Sequence, residues 1–424
     1  MTADETPDVG KDTRYGWQRL TLVFVIASFI ETVGFGHYFA FLPILVKDLG
    51  VAPEDAATTV GLLSTSALLL GLPLVPFWGA WADRYSRKAI IVRSAVVEAI
   101  LFGLLGLTTQ IWQVFVLAPL AGFVLGNTGV MLAEITDRTP RFRLGFAISL
   151  VGTAGPLGIA LGPAFGGLLA DRFGVQSLFL LDAVLTMAIV VMLMTLYHER
   201  PDRHRTTATV LQLVRRSLVA VVRSPIARAV FGAYFFVLLG QRMVFPFIAL
   251  WVEELNGPVK LATMVGLVAA AYGIAASIGS PLAGRLSDRI GYLRVYSIAV
   301  GLVVVCFLGA SLVTSLLPFG GLYALYGVGF ATATSMLYTL LATGLDADIR
   351  TPVLNLALAP LYLAGIVGSL ASTQVLVWTA GDLRPLWVLA AVFSAFALVP
   401  LLVGRHSTRR PDATESREIP QTVR

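Results

Sequence analysis

Long apolar runs alternate with short polar segments along the whole chain. Each run is long enough to cross the hydrocarbon layer of a bilayer, which takes about 20 helical residues. Because lipid offers no hydrogen-bond partners to backbone N–H and C=O groups, each run is expected to form an α-helix. The twelve predicted spans are 18–46, 59–82, 89–108, 112–135, 144–170, 177–197, 229–252, 263–285, 294–314, 319–344, 353–379 and 385–404. The pattern predicts an all-α integral membrane protein with twelve transmembrane helices.

A charged stretch between spans two and three, Gly79–Lys88, has a near-copy at Gly284–Arg294, between spans eight and nine. A fixed offset of about half the chain indicates an internal duplication. The twelve spans are therefore expected to form two pseudo-symmetric six-helix bundles, an arrangement typical of secondary transporters. The offset of 205 residues relates Gly79 to Gly284, Asp83 to Asp288 and Arg84 to Arg289.

The polar segments outside the spans divide the chain. The middle of the long central linker, Thr207–Val222, alternates apolar and basic residues with a helical period. It either lies on the membrane surface or serves as a solvated tether between the bundles. We expect an N-terminal tail at 1–16, a first bundle at 17–197, a basic linker at 198–228, a second bundle at 229–404 and a C-terminal tail at 405–424.

Basic residues are distributed unevenly between the two sides. Of the 31 Lys and Arg residues, 26 fall on the side that carries both termini and the linker. The opposite loops hold Lys47, Arg172, Lys260 and Arg384, and Arg242 lies within a span. The positive-inside rule therefore predicts a multi-pass membrane protein with both termini in the cytoplasm, which for a bacterial chain means the inner membrane.

The composition excludes several classes of function. The chain is 57% hydrophobic and 13% charged, with a mean hydropathy of +0.81, whereas soluble domains carry about 25% charged residues. Its net charge of +6 suits anionic lipid headgroups and requires no nucleic acid. The one cysteine, Cys306, permits no internal disulfide, and neither a metal site nor an enzymatic nucleophile cluster is indicated. No phosphate-binding Gly-x4-Gly-Lys-Ser/Thr loop is present, so no ATP or other cofactor is expected.

The charged stretch resembles a known family signature. Gly79, Asp83, Arg84, Arg87 and Lys88 resemble the loop between spans two and three of the major facilitator superfamily, although Ser86 replaces the second glycine of that pattern. The copy in the second half keeps Gly284, Asp288, Arg289 and Gly291 but has Tyr292 and Leu293 in place of the basic pair. The resemblance implies the major facilitator fold and a transporter that works as a monomer by alternating access.

Span five carries a second resemblance. Its stretch Gly158–Gly167 is similar to the Gly-Pro-rich signature of the superfamily's proton-coupled multidrug and tetracycline exporters, with Ser149 in place of an upstream glycine. Many such exporters carry an Arg in span four, and Ile111–Asp137 has none. Small residues let helices approach closely, so these positions serve either as packing or as a bend that moves during transport. The residues are Gly158, Gly162, Pro163, Gly166 and Gly167.

The family signature has a physical interpretation. Thr351 is a good N-cap for span eleven and is followed by Pro352, so that helix end carries a partial positive charge. Asp83 is expected to contact it when the inner side closes, and the alternative is that the charges only orient a loop. The predicted inner gate comprises Gly79, Asp83, Arg84, Arg87, Lys88, Asp137, Asp288, Arg289 and Thr351.

Charges within the membrane are costly and rare, so each is a functional candidate. Glu31 and Arg242 lie midway along equivalent spans one and seven. Glu31 is the first candidate for proton binding, and a hydrogen-bonded structural glutamate is the alternative. Arg242 stays protonated, so it either binds an anionic group or forms an ion pair, with Glu31 for example. Glu98 in span three is a second proton site or a hydrogen-bonding group.

Other polar and aromatic residues complete the predicted cavity wall. His37 is either a substrate contact or a satisfied buried histidine, because its angle on the helix differs from that of Glu31 by about 120°. Aromatic residues at helical spacing are also compatible with simple packing. The predicted substrate-binding residues are Tyr38, His37, Asn127, Tyr234, Gln241, Arg242, Tyr323 and Tyr326.

These features predict a secondary transporter that exports amphipathic small molecules in exchange for protons. Arg242 also allows a proton-coupled exporter of an anionic, sugar-like or lipid-like metabolite. A sensor or scaffold without flux is a further alternative, but it would usually carry a large added domain. The expected partners are a small-molecule substrate, protons and membrane lipids.

Overall fold

A computed structural model describes residues 16–124, 127–199, 208–345, 349, 353 and 356–401, without the side chains of residues 79, 83, 141, 280 and 342. Within these ranges the chain contains helices and no β-strand, in agreement with the predicted fold class. Eleven helical segments there are long and apolar enough to cross a membrane. The helix Arg87–Leu105 is not among them because Lys88, Arg93 and Glu98 raise its charge.

With that helix the spans number twelve along the described chain, and we label them α1 to α12. In the first half they are α1 (Trp17–Asp48), α2 (Pro53–Leu69 continued by Gly71–Arg84), α3 (Arg87–Leu105), α4 (Ile111–Arg138), α5 (Arg141–Phe173) and α6 (Val175–Leu196). A linker helix, Val210–Arg223, follows. In the second half they are α7 (Pro225–Val244 continued by Ile248–Asn256), α8 (Leu261–Ile290), α9 (Tyr292–Leu312), α10 (Leu316–Gly344), α11 (Ala359–Trp378) and α12 (Arg384–Leu401).

The irregular points in the helices have local causes. Span α7 passes through a short 3₁₀ turn at Phe245–Phe247, where Pro246 lacks the backbone N–H that a continuous helix needs. Span α2 is interrupted at Leu70, and the following Gly71 packs against the ring of Tyr362. The linker helix begins at Thr209, whose hydroxyl accepts a hydrogen bond from the N–H of Gln212 at 3.2 Å.

The two bundles meet along two helix pairs, α5 with α8 and α2 with α11. Small residues allow the first contact: a Cβ on Gly266 or Gly273 would overlap Pro163 or Ala160 of α5. In the same way, a Cβ on Gly61 of α2 would overlap the hydroxyl of Thr373 on α11. Each bundle therefore presents glycines where the other bundle approaches most closely.

The two ends of the molecule are packed differently. We call the end with the N-terminus of α1 and the linker the linker end, and the opposite end the distal end. At the distal end, one apolar cluster joins both bundles, with Phe41 and Leu45 from α1, and Val252 and Val265 from α7 and α8. At the linker end each bundle has its own cluster. Among the described residues, the bundles thus share one large cluster at the distal end and a small one between α2 and α11, whereas the clusters nearest the linker end belong to one bundle each.

Candidate functional site

Glu31 is buried inside the first bundle, with 4% of its surface exposed. The side-chain amide of Asn127 on α4 donates a hydrogen bond to its Oε2. Its Oε1 is buried and has no partner among the described residues. Asn127, which the sequence suggested as a substrate contact, is therefore a partner of Glu31.

Glu98 lies on α3 with 0% of its surface exposed. Both of its carboxylate oxygens lack a hydrogen-bond partner among the described residues. It lies within electrostatic range of Glu31 and of Asp182 on α6. Three buried carboxylates from α1, α3 and α6 thus share the interior of the first bundle.

His37 contacts the third of these carboxylates. Its Nδ1 lies 2.9 Å from Oδ2 of Asp182, and its Nε2 lies 2.8 Å from the backbone oxygen of Gly162 on α5. Both ring nitrogens thus face acceptor atoms, whereas a neutral imidazole has a single N–H. The arrangement needs two protons, held either as a histidinium beside a carboxylate or as a neutral His37 beside a protonated Asp182. His37 therefore belongs to the interior acid cluster and joins α1, α5 and α6.

Arg242 does not pair with Glu31, and no carboxylate among the described residues forms an ion pair with it. Its guanidinium carbon lies 5.6 Å from the ring centroid of Phe39 and 5.4 Å from that of Phe245. Its Nε is buried without a hydrogen-bond partner within the described ranges. Arg242 is thus a half-buried cation beside two aromatic rings.

Arg93 is a second half-buried cation, with buried guanidinium nitrogens, and the sequence analysis had counted it among the inner-side charges. It lies six residues into α3, about 9 Å along the helix axis. Its guanidinium carbon lies 3.6 Å from the ring centroid of Trp78 on α2. Three basic residues nearby, Arg84, Arg87 and Lys88, concealed it in the sequence. The signal that could have found it is its distance from the charged loop.

The glycines of α5 form two contact faces. A Cβ on Gly162 would lie 3.0 Å from the backbone oxygen of Val33 on α1, and one on Gly158 or Gly166 would overlap Thr32 or His37. Gly167 instead faces α8, where a Cβ would overlap the backbone at Ala262. The stripe allows α5 to lie against α1 of its own bundle and α8 of the other.

The predicted inner gate falls partly outside the described residues, because neither the side-chain environments of Gly79 and Asp83 nor Thr351 are described. The described part is a network within the first bundle. Nη1 of Arg87 lies 2.9 Å from Glu134 and 2.6 Å from Asp137, and Arg138 pairs with Glu134.

The remaining described members of the predicted gate lie in both bundles. Ser86 caps α3 by accepting the N–H of Ala89 at 3.1 Å, and its hydroxyl donates to Glu199 at 2.6 Å. The side chains of Arg84 and Lys88 donate to backbone oxygens at Ala208 and Met194. Asp288 and Arg289 are exposed and form no ion pair with the described residues, consistent with the missing basic pair at Tyr292 and Leu293.

The predicted tyrosines lie mainly in packed regions. Tyr38 is fully buried in the distal cluster. Tyr323 and Tyr326 lie 5.4 Å apart, ring centroid to ring centroid, in an aromatic group that includes Tyr272 of α8. Tyr234 packs edge to face on Tyr338 at 5.6 Å. Gln241 is half-buried beside Arg242.

Two polar contacts join the bundles at the distal end. Lys47 of α1 forms an ion pair with Glu253 of α7. Asp171 at the end of α5 accepts backbone hydrogen bonds from Ala262 at 3.1 Å and Thr263 at 2.9 Å, at the start of α8. The sequence analysis identified neither contact, because the residues that form each of them lie far apart in the chain.

Both halves of the chain match one family. The sequence profile of the Major Facilitator Superfamily covers residues 24–233 and again residues 230–424. The chain belongs to the major facilitator superfamily. The double match agrees with the internal repeat, and the protein is accordingly a multi-pass membrane protein of a transporter family.

The relatives of this transporter include proteins named multidrug resistance protein MdtG. The protein of that name from Rahnella sp. (strain Y9602) is 31% identical over 330 residues, which cover 77% of this chain and 79% of the relative. The one from Citrobacter koseri is 31% identical over 333 residues, with 78% and 81% covered.

Solved structures show the same fold at low identity. The crystal structure of nucleoside transporter NupG has a TM-score of 0.72 at 14% identity and covers 91% of this chain and 99% of its own. A bacterial homologue of the human lysosomal transporter Spinster, in an inward-facing and occupied conformation, has a TM-score of 0.69 at 16% identity, with 92% and 96% covered. At these identities the likeness concerns the fold of the transporter.

Proposed function

We propose that this transporter exports amphipathic small molecules from the bacterial cytoplasm in exchange for protons. The single observation that carries the proposal is the group of buried carboxylates in the first bundle, Glu31, Glu98 and Asp182. Their cationic partner within the described chain is at most one histidine, His37. Its relatives named multidrug resistance protein support efflux as the direction of transport.

The carboxylates are suited to bind and release protons. A buried carboxylate without a cation nearby is costly, and it lowers that cost by taking up a proton. One carboxylate oxygen of Glu31 accepts a hydrogen bond from Asn127, and the other has no partner among the described residues. It can therefore be stable when protonated, and it can release its proton when water or substrate reaches it.

The packing supports alternating access. With the linker end in the cytoplasm, as the basic residues favour, the distal cluster and the Asp171 contact hold the outer side closed. Toward the cytoplasm the described apolar clusters belong to one bundle each, which supports an inward-facing arrangement. Transport then requires α5 and α8 to separate at their distal ends while the linker ends come together.

The cytoplasmic gate follows from the sequence signature. In the closed state, Asp83 is proposed to face the positively charged start of α11, with Arg87 and Asp137 as supporting charges. The ion pairs that join Arg87 to Glu134 and Asp137 make this part of the first bundle rigid. The gate closes as the distal contacts open.

The test is flux in liposomes that contain the purified protein. An imposed pH gradient should drive uphill movement of cationic or neutral amphipathic compounds, and collapse of the gradient with a protonophore should abolish it. Substrate binding without any flux would instead indicate a sensor. Flux that ignores the pH gradient would contradict proton coupling while leaving transport intact.

A further inference from the structure

Two half-buried arginines, one from each bundle, lie near the contact between the bundles. Arg93 belongs to α3 of the first bundle and Arg242 to α7 of the second. All three guanidinium nitrogens of Arg93, and Nε of Arg242, are buried without a hydrogen-bond partner among the described residues. Neither forms an ion pair with a described carboxylate.

Tyr362 of α11 is close to both of them. Its hydroxyl is buried and unpartnered within the described ranges, and it is within electrostatic range of both arginines. Its ring packs on Gly71 at the break in α2, in the small apolar cluster that joins α2 to α11. The Cβ of Arg242 lies beside Gly368, two turns further along α11. One helix thus brings the two cations toward a common hydroxyl donor.

Aromatic rings lie beside both arginines. Trp78 stacks on Arg93 at 3.6 Å, and its indole N–H is buried without a partner among the described residues. Phe39 and Phe245 flank Arg242. Cation–π contacts are weaker than the cost of burying an ion. The described residues therefore leave the buried guanidinium nitrogens of Arg93, and Nε of Arg242, without a compensating anion.

An arginine cannot lower this cost by losing its proton. What compensates a buried guanidinium is an anion, and its planar fork fits carboxylate and phosphate groups with paired hydrogen bonds. We infer that Arg93, Tyr362 and Arg242 form a binding site for the anionic group of an organic substrate, a carboxylate, phosphate, phosphonate or sulfonate, whose apolar part contacts Trp78, Phe39 and Phe245. The inference rests on the proposed transport function and names the class of substrate.

The experiment compares three probes of the same size, 1-naphthoate, 1-naphthamide and 1-naphthylmethylammonium. Their binding to the full-length protein in phosphatidylcholine nanodiscs is measured with radiolabelled probe and no pH gradient. We expect naphthoate to bind more tightly than the other two. Arg93→Gln and Arg242→Gln should each weaken naphthoate binding ten-fold or more and leave naphthamide binding unchanged. The matched control is Arg285→Gln, at an exposed arginine on α8, which should bind naphthoate like the wild type.

A second arm separates a free organic anion from a lipid headgroup. Nanodiscs with phosphatidylglycerol should leave naphthoate affinity unchanged if the site takes free anions. A ten-fold loss of affinity that disappears in Arg93→Gln would assign the same site to a lipid phosphate. The inference is overturned if naphthoate fails to bind at millimolar concentration, or if the arginine variants bind all three probes as the wild type does.

The result is independent of proton coupling. Anion binding without proton-driven flux would contradict the proposed function and leave the site intact. Proton-driven flux of neutral compounds without selective binding of naphthoate would support the proposed function and contradict the anion site. If either arginine variant folds poorly, Tyr362→Phe removes only the hydroxyl and should still weaken naphthoate binding relative to naphthamide.

Discussion

The carboxylate of Asp171, at the end of α5, accepts hydrogen bonds from the backbone N–H of Thr263 at 2.9 Å and from its hydroxyl at 2.5 Å. Thr263 is in the first turn of α8, which belongs to the other bundle. The residue before α8 is Lys260, which adopts a left-handed φ of 53° and provides no side-chain cap. The free N–H groups of this helix end are therefore capped by the opposite bundle.

We predict that Asp171→Ala shifts the transporter toward an outward-open state. A lost cap costs about 0.5–2 kcal/mol, and about 1.4 kcal/mol changes a two-state ratio ten-fold. Spin labels at Asp55 and Val259, both exposed at the distal end, would report the distance between the bundles by double electron–electron resonance. The native Cys306 is buried and should not react.

Asp382→Ala provides the control for this prediction. Its carboxylate accepts the backbone N–H of Arg384 at 2.9 Å, entirely within the second bundle. The distances in this variant should match those of the wild type. An unchanged distance distribution in Asp171→Ala would show that the cap does not hold the outer side closed.

The charge network at the linker end contains one buried and one exposed carboxylate, so the effects of removing each charge can be compared. Glu134 is buried and pairs with both Arg87 and Arg138, whereas 57% of the Asp137 side chain is exposed. Loss of one partner from a buried ion pair costs about 3–5 kcal/mol, but an exposed pair contributes about 0–1 kcal/mol. We predict that Glu134→Gln lowers the thermal stability of the purified protein clearly and Asp137→Asn hardly at all. Equal losses would mean that burial does not set the strength of this network.

How far the sequence predicts this site depends on the range of the interaction. The spans, the repeat and the Glu31 candidate follow from local patterns, because hydropathy and rare intramembrane charges are visible in one stretch of chain. The partner of Glu31 is 96 residues away at Asn127. The mutual angle of two helices decides that contact, and no local pattern encodes it.

Arg93 and Asp171 illustrate the two ways in which sequence reasoning missed functional candidates. Arg93 was counted with the loop charges, although it lies about 9 Å along the helix from the start of α3 and its guanidinium nitrogens are buried. Asp171 was not singled out, because its role depends on α8 of the other bundle. The pairing of Glu31 with Arg242 was a reasonable alternative from equal depth, but depth does not set the direction of a side chain on its helix.

The α5 glycines offer a prediction with an internal control. A side chain at Gly162 would meet the backbone of Val33, and one at Gly166 would meet His37, whereas nothing lies within 4 Å of a Cβ at Gly152 on the same helix. We predict that Gly162→Leu and Gly166→Leu reduce flux more than membrane expression, since they separate α5 from α1. Gly152→Leu should retain both. If expression and flux fall together in the first two variants, these glycines serve assembly rather than movement.

The last prediction concerns Glu31. Glu31→Gln imitates the protonated form, since glutamine has the same size and no charge. Flux driven by a pH gradient should fall ten-fold or more, equivalent to about 1.4 kcal/mol or more in the coupled step, because no proton can be exchanged at this position. Exchange of labelled substrate between the two sides needs no net proton movement, so it should survive better.

The matched control is Glu54→Gln, at an exposed carboxylate in the first turn of α2, which should leave both activities unchanged. Equal losses of uphill flux and exchange would mean that Glu31 holds the fold or the substrate rather than the proton. Unchanged uphill flux would remove Glu31 from the mechanism and leave Glu98, the neighbouring carboxylate without a partner among the described residues, as the site to test by the same pair of measurements.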